Sequence, residues 1–196
     1  MKSRLKKQIE FIIEIDKIKK ILRKTRLFDS SKNENVAEHS WHISLMAIIL
    51  QEYSNQPIDI LKVVKMLLIH DIVEIDVGDI FLYHPNRHKN KYELEKRAAE
   101  RIFGILPENQ RVEFINLWNE FELKKSAEAK YAHVLDRLEP LLQNYLTKGI
   151  SWQEFNIKYE QVIKANQHIE YGSKKLWDYA KTLIHDSVEK DYLKKK

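Results

Sequence analysis

The 196-residue sequence contains no cysteine, which removes disulfides, thiolate metal sites and a cysteine nucleophile at one stroke. Glycine and proline are scarce as well, four of each, so the tight turns of a sheet protein have few places to form while long helices meet little interruption. Long apolar runs are missing too. The longest clean one, Leu45 to Leu50, falls far short of a membrane span, and a soluble protein with no membrane partner is expected. The opening MKSRLKKQIEFIIEIDKIKK has no uninterrupted apolar core and carries Glu10, Glu14 and Asp16, which argues against a secretory or transit peptide and for a cytoplasmic protein. The net charge of +5 is spread among interspersed acids and bases, and the only pure basic run is Lys194 to Lys196, so a nucleic-acid polymer is not the expected partner.

What remains is a chain rich in Lys, Glu, Leu and Ile, long enough for one domain with a sizeable core. The expected class is all-α. Phe11, Ile15, Ile18 and Leu22 share a helical stripe, predicting a first helix to about Arg23 that ends in the basic cluster Arg23, Lys24 and Arg26, where a helix C-terminal dipole or a phosphate would suit them. The polar stretch from Asp29 to Asn35 predicts a loop. A second helix follows from Val36, with Asn35 as its cap and Glu38 in its first turn, and it carries His39 and His42. Pro57 suits the first turn of a third helix through Leu68.

The most informative stretch is HDIVEIDVGD, His70 to Asp79. The apolar run before it predicts a buried helix, and burying charge is costly unless it is paired or bound to a metal. His70 and Asp71 together offer mixed nitrogen and oxygen ligation that suits zinc, manganese, iron, cobalt or nickel without choosing one. Glu74, Asp76 and Asp79 follow around Gly78. Beyond them, FLYHPNRHKNKY predicts a loop whose His84 and His88 read as surface histidines.

Helices are then expected from Glu93 to Gly104 and from Pro107 through Trp118, and a longer one is capped by Ser126 with Ala129, Ala132, Leu135, Leu138 and Leu142 facing the core. Asp136 lies beside that stripe, with His133 one turn earlier. Ser151 and Glu154 predict a capping box opening a helix with Phe155 and Val162. Gly172 and Ser173 precede a last helix. Trp152, Phe155, Tyr159, Trp177 and Tyr179 are expected in the core or on a dimer surface.

Taken one at a time these residues say little, since a lone helical histidine is ordinarily a satisfied or exposed side chain. In order they form H…HD…D: His39, then His70 with Asp71, then Asp136. That pattern resembles the HD-domain superfamily of metal-dependent phosphohydrolases. ENVAEHSWH, LLIHDIVEIDVGD and SAEAKYAHVLDRLEP are similar to the corresponding blocks of its 5′-deoxynucleotidase-like members.

The resemblance implies a single compact HD-domain helical bundle over residues 1–196, with a motif-bearing core at about 17–140 and C-terminal helices at about 151–190 packed on it. It implies His39, His70, Asp71 and Asp136 as ligands of one divalent ion (Mn, Co, Fe, Zn, Ni or Mg), Glu74 and Asp79 as catalytic carboxylates, and Arg23 as the phosphate-binding arginine, with Arg26 its competitor. Relatives are commonly homodimers. Lys24 stands where the family has an aromatic residue that excludes a ribose 2′-hydroxyl, which leaves the sugar preference open.

The implied reaction is hydrolysis of the 5′-phosphate of a (deoxy)nucleoside monophosphate. It needs the phosphoryl charge neutralised, water aligned in line and the departing alkoxide protonated. The ion and Arg23 suit the first task, while Glu74 and Asp79 divide the others in an order the sequence does not fix. Two alternatives keep the same residues: hydrolysis of a nucleoside triphosphate, a cyclic nucleotide or another phosphoester, and a non-catalytic helical binding protein braced by a metal.

Overall fold

The computed structural model describes residues 3–83 and 90–196. His84 and His88 of the loop expected from the sequence lie outside the described residues.

Helix α1 (Arg4–Ile15) is capped by Ser3, whose side chain accepts from the Lys6 N–H, and it buries Phe11. The helix stops earlier than its apolar stripe predicts. A 3-10 turn takes the chain from Asp16 to Lys20, and Leu22–Arg26 forms strand β1, paired antiparallel with β2 (Asn33–Asn35). The basic cluster therefore sits on a strand and not at a helix end, Leu22 is exposed, and the predicted loop 29–35 ends in β2. Tertiary pairing overrides the local helical period here: the Val36 N–H donates to the Ile21 carbonyl, and Asn33 Nδ2 donates to that of Arg23. Alternation along β1 turns Arg23 and Thr25 inward and leaves Leu22 and Lys24 outside.

Helix α2 (Val36–Leu50) opens on the predicted cap, with Asn35 and Glu38 exchanging side-chain and backbone hydrogen bonds as a capping box. Helix α3 (Ile60–Ile69) starts later than expected. Asp59, not Pro57, provides its start by accepting from the N–H groups of Leu61 and Lys62. It ends at His70, and a tight turn leads to the short helix α4 (Glu74–Val77), closed by Gly78 at φ +75°, a conformation glycine adopts without strain.

Helices α5 (Lys91–Phe103) and α6 (Glu108–Leu123) follow, the latter with Pro107 immediately before it. Helix α7 (Ala127–Leu146), capped by Ser126, runs through the centre and buries residues on nearly every side, including Ala129, Ala132, Leu135 and Leu138. Pro140 interrupts its ladder: lacking an N–H, it leaves the Asp136 carbonyl without the usual helical partner.

The C-terminal part departs most from expectation. Ser151 lies inside the short helix α8 (Ile150–Glu154), and its hydroxyl donates to the Lys24 carbonyl instead of capping a helix. Val162 belongs to a separate helix, α9 (Tyr159–Asn166), at whose start the Gln161 side chain accepts from the Lys158 N–H. Helix α10 (Ile169–Gly172) crosses α7 so closely that a Cβ at Gly172 would lie 2.5 Å from the Lys130 carbonyl oxygen. Helix α11 (Lys174–Glu189) starts at Ser173 and completes the chain's helices. One cluster of buried apolar side chains runs from Phe11 to Leu193. Trp152 and Trp177 are buried in it, while Tyr179 is exposed. The larger exposed apolar set is on α2 and α3: Trp41, Leu45, Ile48, Ile49, Leu61 and Leu68. Among the described residues no helix is long and apolar enough to cross a membrane.

Candidate metal centre

Three helices bring three donors to one point. His39 comes from the first turn of α2, His70 from the C-terminal end of α3, and Asp136 from the middle of α7, all buried. One ligand atom from each lies within 4.8 Å of the others. His39 Nε2 stands 3.3 Å and His70 Nε2 3.8 Å from the same oxygen, Asp136 Oδ1. Asp71 flanks this trio, its Oδ2 3.0 Å from His70 Nε2.

Each imidazole is oriented from behind. His70 Nδ1 donates to the Leu67 carbonyl at 2.9 Å, which turns the buried Nε2 toward the carboxylates of Asp71 and Asp136. His39 Nδ1 faces Glu139 Oε2 at 3.2 Å and Glu34 Oε2 at 3.6 Å, so its Nε2 is the nitrogen offered to the centre. A carboxylate or carbonyl behind an imidazole fixes the tautomer that a ligand needs. Two nitrogens with carboxylate oxygens between them fit a divalent transition ion.

Charge points the same way. Burial would lower the His70 imidazole, but Asp71 and Asp136 outweigh it and push it up to about 10. His39 is raised too: burial and Arg23 lower it, and hydrogen bonds to Asp136 and Glu139 prevail. Burial raises Asp136, yet Arg137, His39 and His70 hold it well below the usual carboxylate range, and Asp71 is likewise held down by His70 against burial. The pocket thus favours positive charge at its centre.

Beside the trio opens a polar recess lined by Arg23, Glu74, Asp79, Lys91, Lys124 and Arg137, among others. Glu74 is buried with Oε2 unpartnered among the described residues, and burial together with Asp71 and Asp79 raises its carboxyl well above the ordinary value. Arg23 is nearly enclosed, with Nε 3.2 Å from Glu34 Oε2 and a terminal nitrogen 3.4 Å from Asp71 Oδ2. Burial would lower its guanidinium, and Asp71, Asp79 and Glu34 raise it instead. Arg26, three residues along β1, lines neither this recess nor the cavity adjoining it.

The remaining sequence candidates separate cleanly. His42 is half-buried behind the site, its Nδ1 3.5 Å from Glu139 Oε1. His133 is buried and donates through Nε2 to the Phe121 carbonyl, and burial, with Lys124, holds it well below its ordinary value, so it is neutral. Lys24 lies at the surface with Nζ 6.0 Å from the Phe155 ring centre. Sequence reasoning passed over Glu34, Glu139 and Arg137. Glu139 was findable, since it falls one helical turn after Asp136 and so shares its face; nothing in the sequence marks Glu34 or Arg137 as special.

Comparison with known proteins gives a consistent picture. The model of the HD domain matches residues 15–177. A 5′-deoxynucleotidase HDDC2 of Danio rerio is 32% identical over 136 residues, 69% of this chain and 66% of that protein. Its Homo sapiens counterpart is 29% identical, with 69% and 65% covered. The chain thus spans just under two thirds of the length of these curated relatives. A crystal structure of a predicted metal-dependent phosphohydrolase from Magnetospirillum magnetotacticum MS-1 superposes with a TM-score of 0.94 at 48% identity, covering 98% of this chain and 96% of that one. The PH0347 protein of Pyrococcus horikoshii OT3, 22% identical with 93% and 99% covered, shares the fold at a TM-score of 0.64.

Proposed function

The chain belongs to the HD domain family, and from that membership we propose that it is a metal-dependent phosphohydrolase that removes the 5′-phosphate of (deoxy)nucleoside monophosphates. The observation that carries this reading is the approach of His39 Nε2, His70 Nε2 and Asp136 Oδ1 from three separate helices, with spare carboxylates and an enclosed arginine beside them. A site that only braced the fold would need no Glu74, buried and without a partner for Oε2 among the described residues.

His39, His70, Asp71 and Asp136 would hold one divalent ion. When bound, a divalent cation supplies Lewis-acid polarisation of phosphoryl oxygen and water. Arg23 binds the phosphate: its guanidinium is permanently charged, faces the recess, and is held in place by Glu34 and Asp71. Lys91, Lys124 and Arg137 add positive charge around the same recess. We assign the proton of the attacking water to Glu74, which lines the recess beside the ligands and whose buried Oε2 has no hydrogen-bond partner among the described residues. Asp79 serves the leaving oxygen. It lines both the recess and the adjoining cavity, and therefore stands where the phosphate ends and the rest of the substrate begins.

Residues 1–196 are read as a single HD domain, supported by the one apolar cluster from Phe11 to Leu193. A cytoplasmic homodimer is the accompanying proposal, supported by the exposed apolar side chains of α2 and α3, and light scattering measures it. The deciding experiment for the activity is phosphate release from a panel of deoxy- and ribonucleoside 5′-monophosphates, with and without added Mn, Co, Zn or Mg, against a chelated control. Release that requires metal and favours monophosphates supports the reading; release of pyrophosphate or triphosphate, or none from any nucleotide, overturns it.

A further inference from the structure

The polar recess adjoins a second cavity. The two share Arg23, Asp79, Leu82 and Arg137, so a molecule whose phosphate sits in the recess has its remainder directed into this cavity. The walls there are of a different kind. Phe81, Leu141, Pro140 and Trp152 supply flat or apolar surface, and Phe81 is fixed by its ring contact with Phe155 at 4.5 Å between centres.

Among the uncharged polar groups that also line it, two have an atom without a hydrogen-bond partner among the described residues. Thr25 is buried on the inward face of β1, and its hydroxyl has no hydrogen-bond partner among the described residues. Asn144 is buried on α7, two turns beyond Asp136. Its Nδ2 donates to the Pro140 carbonyl at 2.9 Å, which fixes the amide orientation and leaves Oδ1 as an acceptor with no partner among the described residues. Both residues line the cavity. Buried polar groups are normally satisfied, so a hydroxyl and a carbonyl oxygen buried without partners among the described residues, on side chains that wall a cavity beside a phosphate site, call for a ligand that meets them.

We propose that this cavity is a nucleobase subsite, in which Asn144 Oδ1 accepts from a base N–H, Thr25 supplies a second polar contact, and Phe81 and Trp152 present aromatic surface to the base. An acceptor-only oxygen reads an amino or imide N–H and disfavours an edge that lacks one. This rests on the phosphohydrolase reading above and adds to it the part of the substrate that sets selectivity.

The test compares kcat/KM for thymidine 5′-monophosphate, its N3-methyl derivative and 2-deoxyribose 5-phosphate in the wild type and in Asn144→Leu, Thr25→Val and Thr25→Ser, with folding checked by thermal unfolding. The expected wild type prefers thymidine monophosphate to both other compounds by tenfold or more. Asn144→Leu abolishes the preference over the N3-methyl compound, Thr25→Val lowers the preference over the sugar phosphate, and Thr25→Ser retains it, the changes appearing in KM. Unchanged ratios in Asn144→Leu and Thr25→Val, with nucleotides still cleaved, overturn this inference alone. Cleavage of 2-deoxyribose 5-phosphate without any nucleotide cleavage overturns the nucleotidase reading as well.

Discussion

Replacing Glu139 with Gln tests how the centre is assembled. Its Oε2 lies 3.2 Å from His39 Nδ1 and its Oε1 3.5 Å from His42 Nδ1, so the wild-type carboxylate both orients the His39 imidazole and makes it a stronger donor to an ion. Loss of such a partner costs on the order of 10- to 100-fold in metal affinity, about 1.4 to 2.7 kcal/mol. The structure contains a substitute, however. Glu34 Oε2 is only 3.6 Å from the same nitrogen, and burial beside Glu139 pushes Glu34 up to about 7, leaving it about half protonated near neutrality. Removing the charge of Glu139 removes a cause of that elevation, so Glu34 ionises and takes over. The single variant Glu139→Gln is therefore expected near the lower bound, about tenfold, and Glu34→Gln alone at less. The double variant is expected near the upper bound, about 100-fold, a loss larger than the sum of the two single effects. Calorimetric titration of metal-free protein with Mn or Zn in the presence of a competing chelator measures all four proteins. Wild-type affinity in the double variant would refute the orientation argument and, with it, the assignment of His39 as a ligand.

Other perturbations separate the remaining roles. Glu74→Gln is expected to keep its metal and its fold while kcat falls roughly 10²- to 10⁴-fold; a variant as active as the wild type would remove Glu74 from the chemistry. Arg23→Ala deletes the charge that faces the phosphate and leaves Glu34 and Asp71 without their cation, so KM for the nucleotide is expected to rise about tenfold or more, with reduced thermal stability; unchanged KM would contradict its role. His168 supplies a pH dependence of stability. Burial, then Arg137 and Lys124, push its imidazole down to about 4, whereas the unfolded chain has about 6.5. Between those values the unfolded state binds the extra proton, so the contribution is complete above pH 6.5 and is lost as pH falls toward 4. It amounts to about 2 to 3 kcal/mol once partial solvent screening is allowed for. Urea denaturation from pH 7 to 4.5 is expected to show the slope flattened in His168→Gln, and an equal slope in both proteins would contradict it.

The parts legible in the sequence are those whose cause is local. Asn35 with Glu38 announces the start of α2, Ser126 that of α7, and the apolar stripe of α7 is buried as its 3.6-residue period requires. The parts that were not legible depend on partners distant in the chain. Nothing within Leu22–Arg26 announces a strand, because β1 exists through its pairing with Asn33–Asn35 and the hydrogen bond from Ser151 to the Lys24 carbonyl. Likewise Ser151 and Glu154 carry the capping pattern, yet Gly149 at φ +73° starts the helix ahead of them. At the centre the order His39, His70 with Asp71, Asp136 is readable as a motif. The layer behind it is not: Glu34 and Glu139 are ordinary strand and helix residues until folding places both against one imidazole nitrogen.

The central claim is that His39, His70, Asp71 and Asp136 cage one ion, and a crystal structure of metal-loaded protein, located by anomalous scattering at the metal edge, tests it directly. The account predicts a single buried ion with both Nε2 atoms and the two aspartate carboxylates around it at about 2.0–2.2 Å, as expected for zinc ligation, and no ion in Asp136→Ala grown and measured identically. An ion bound elsewhere, or one retained at full occupancy without Asp136, contradicts it.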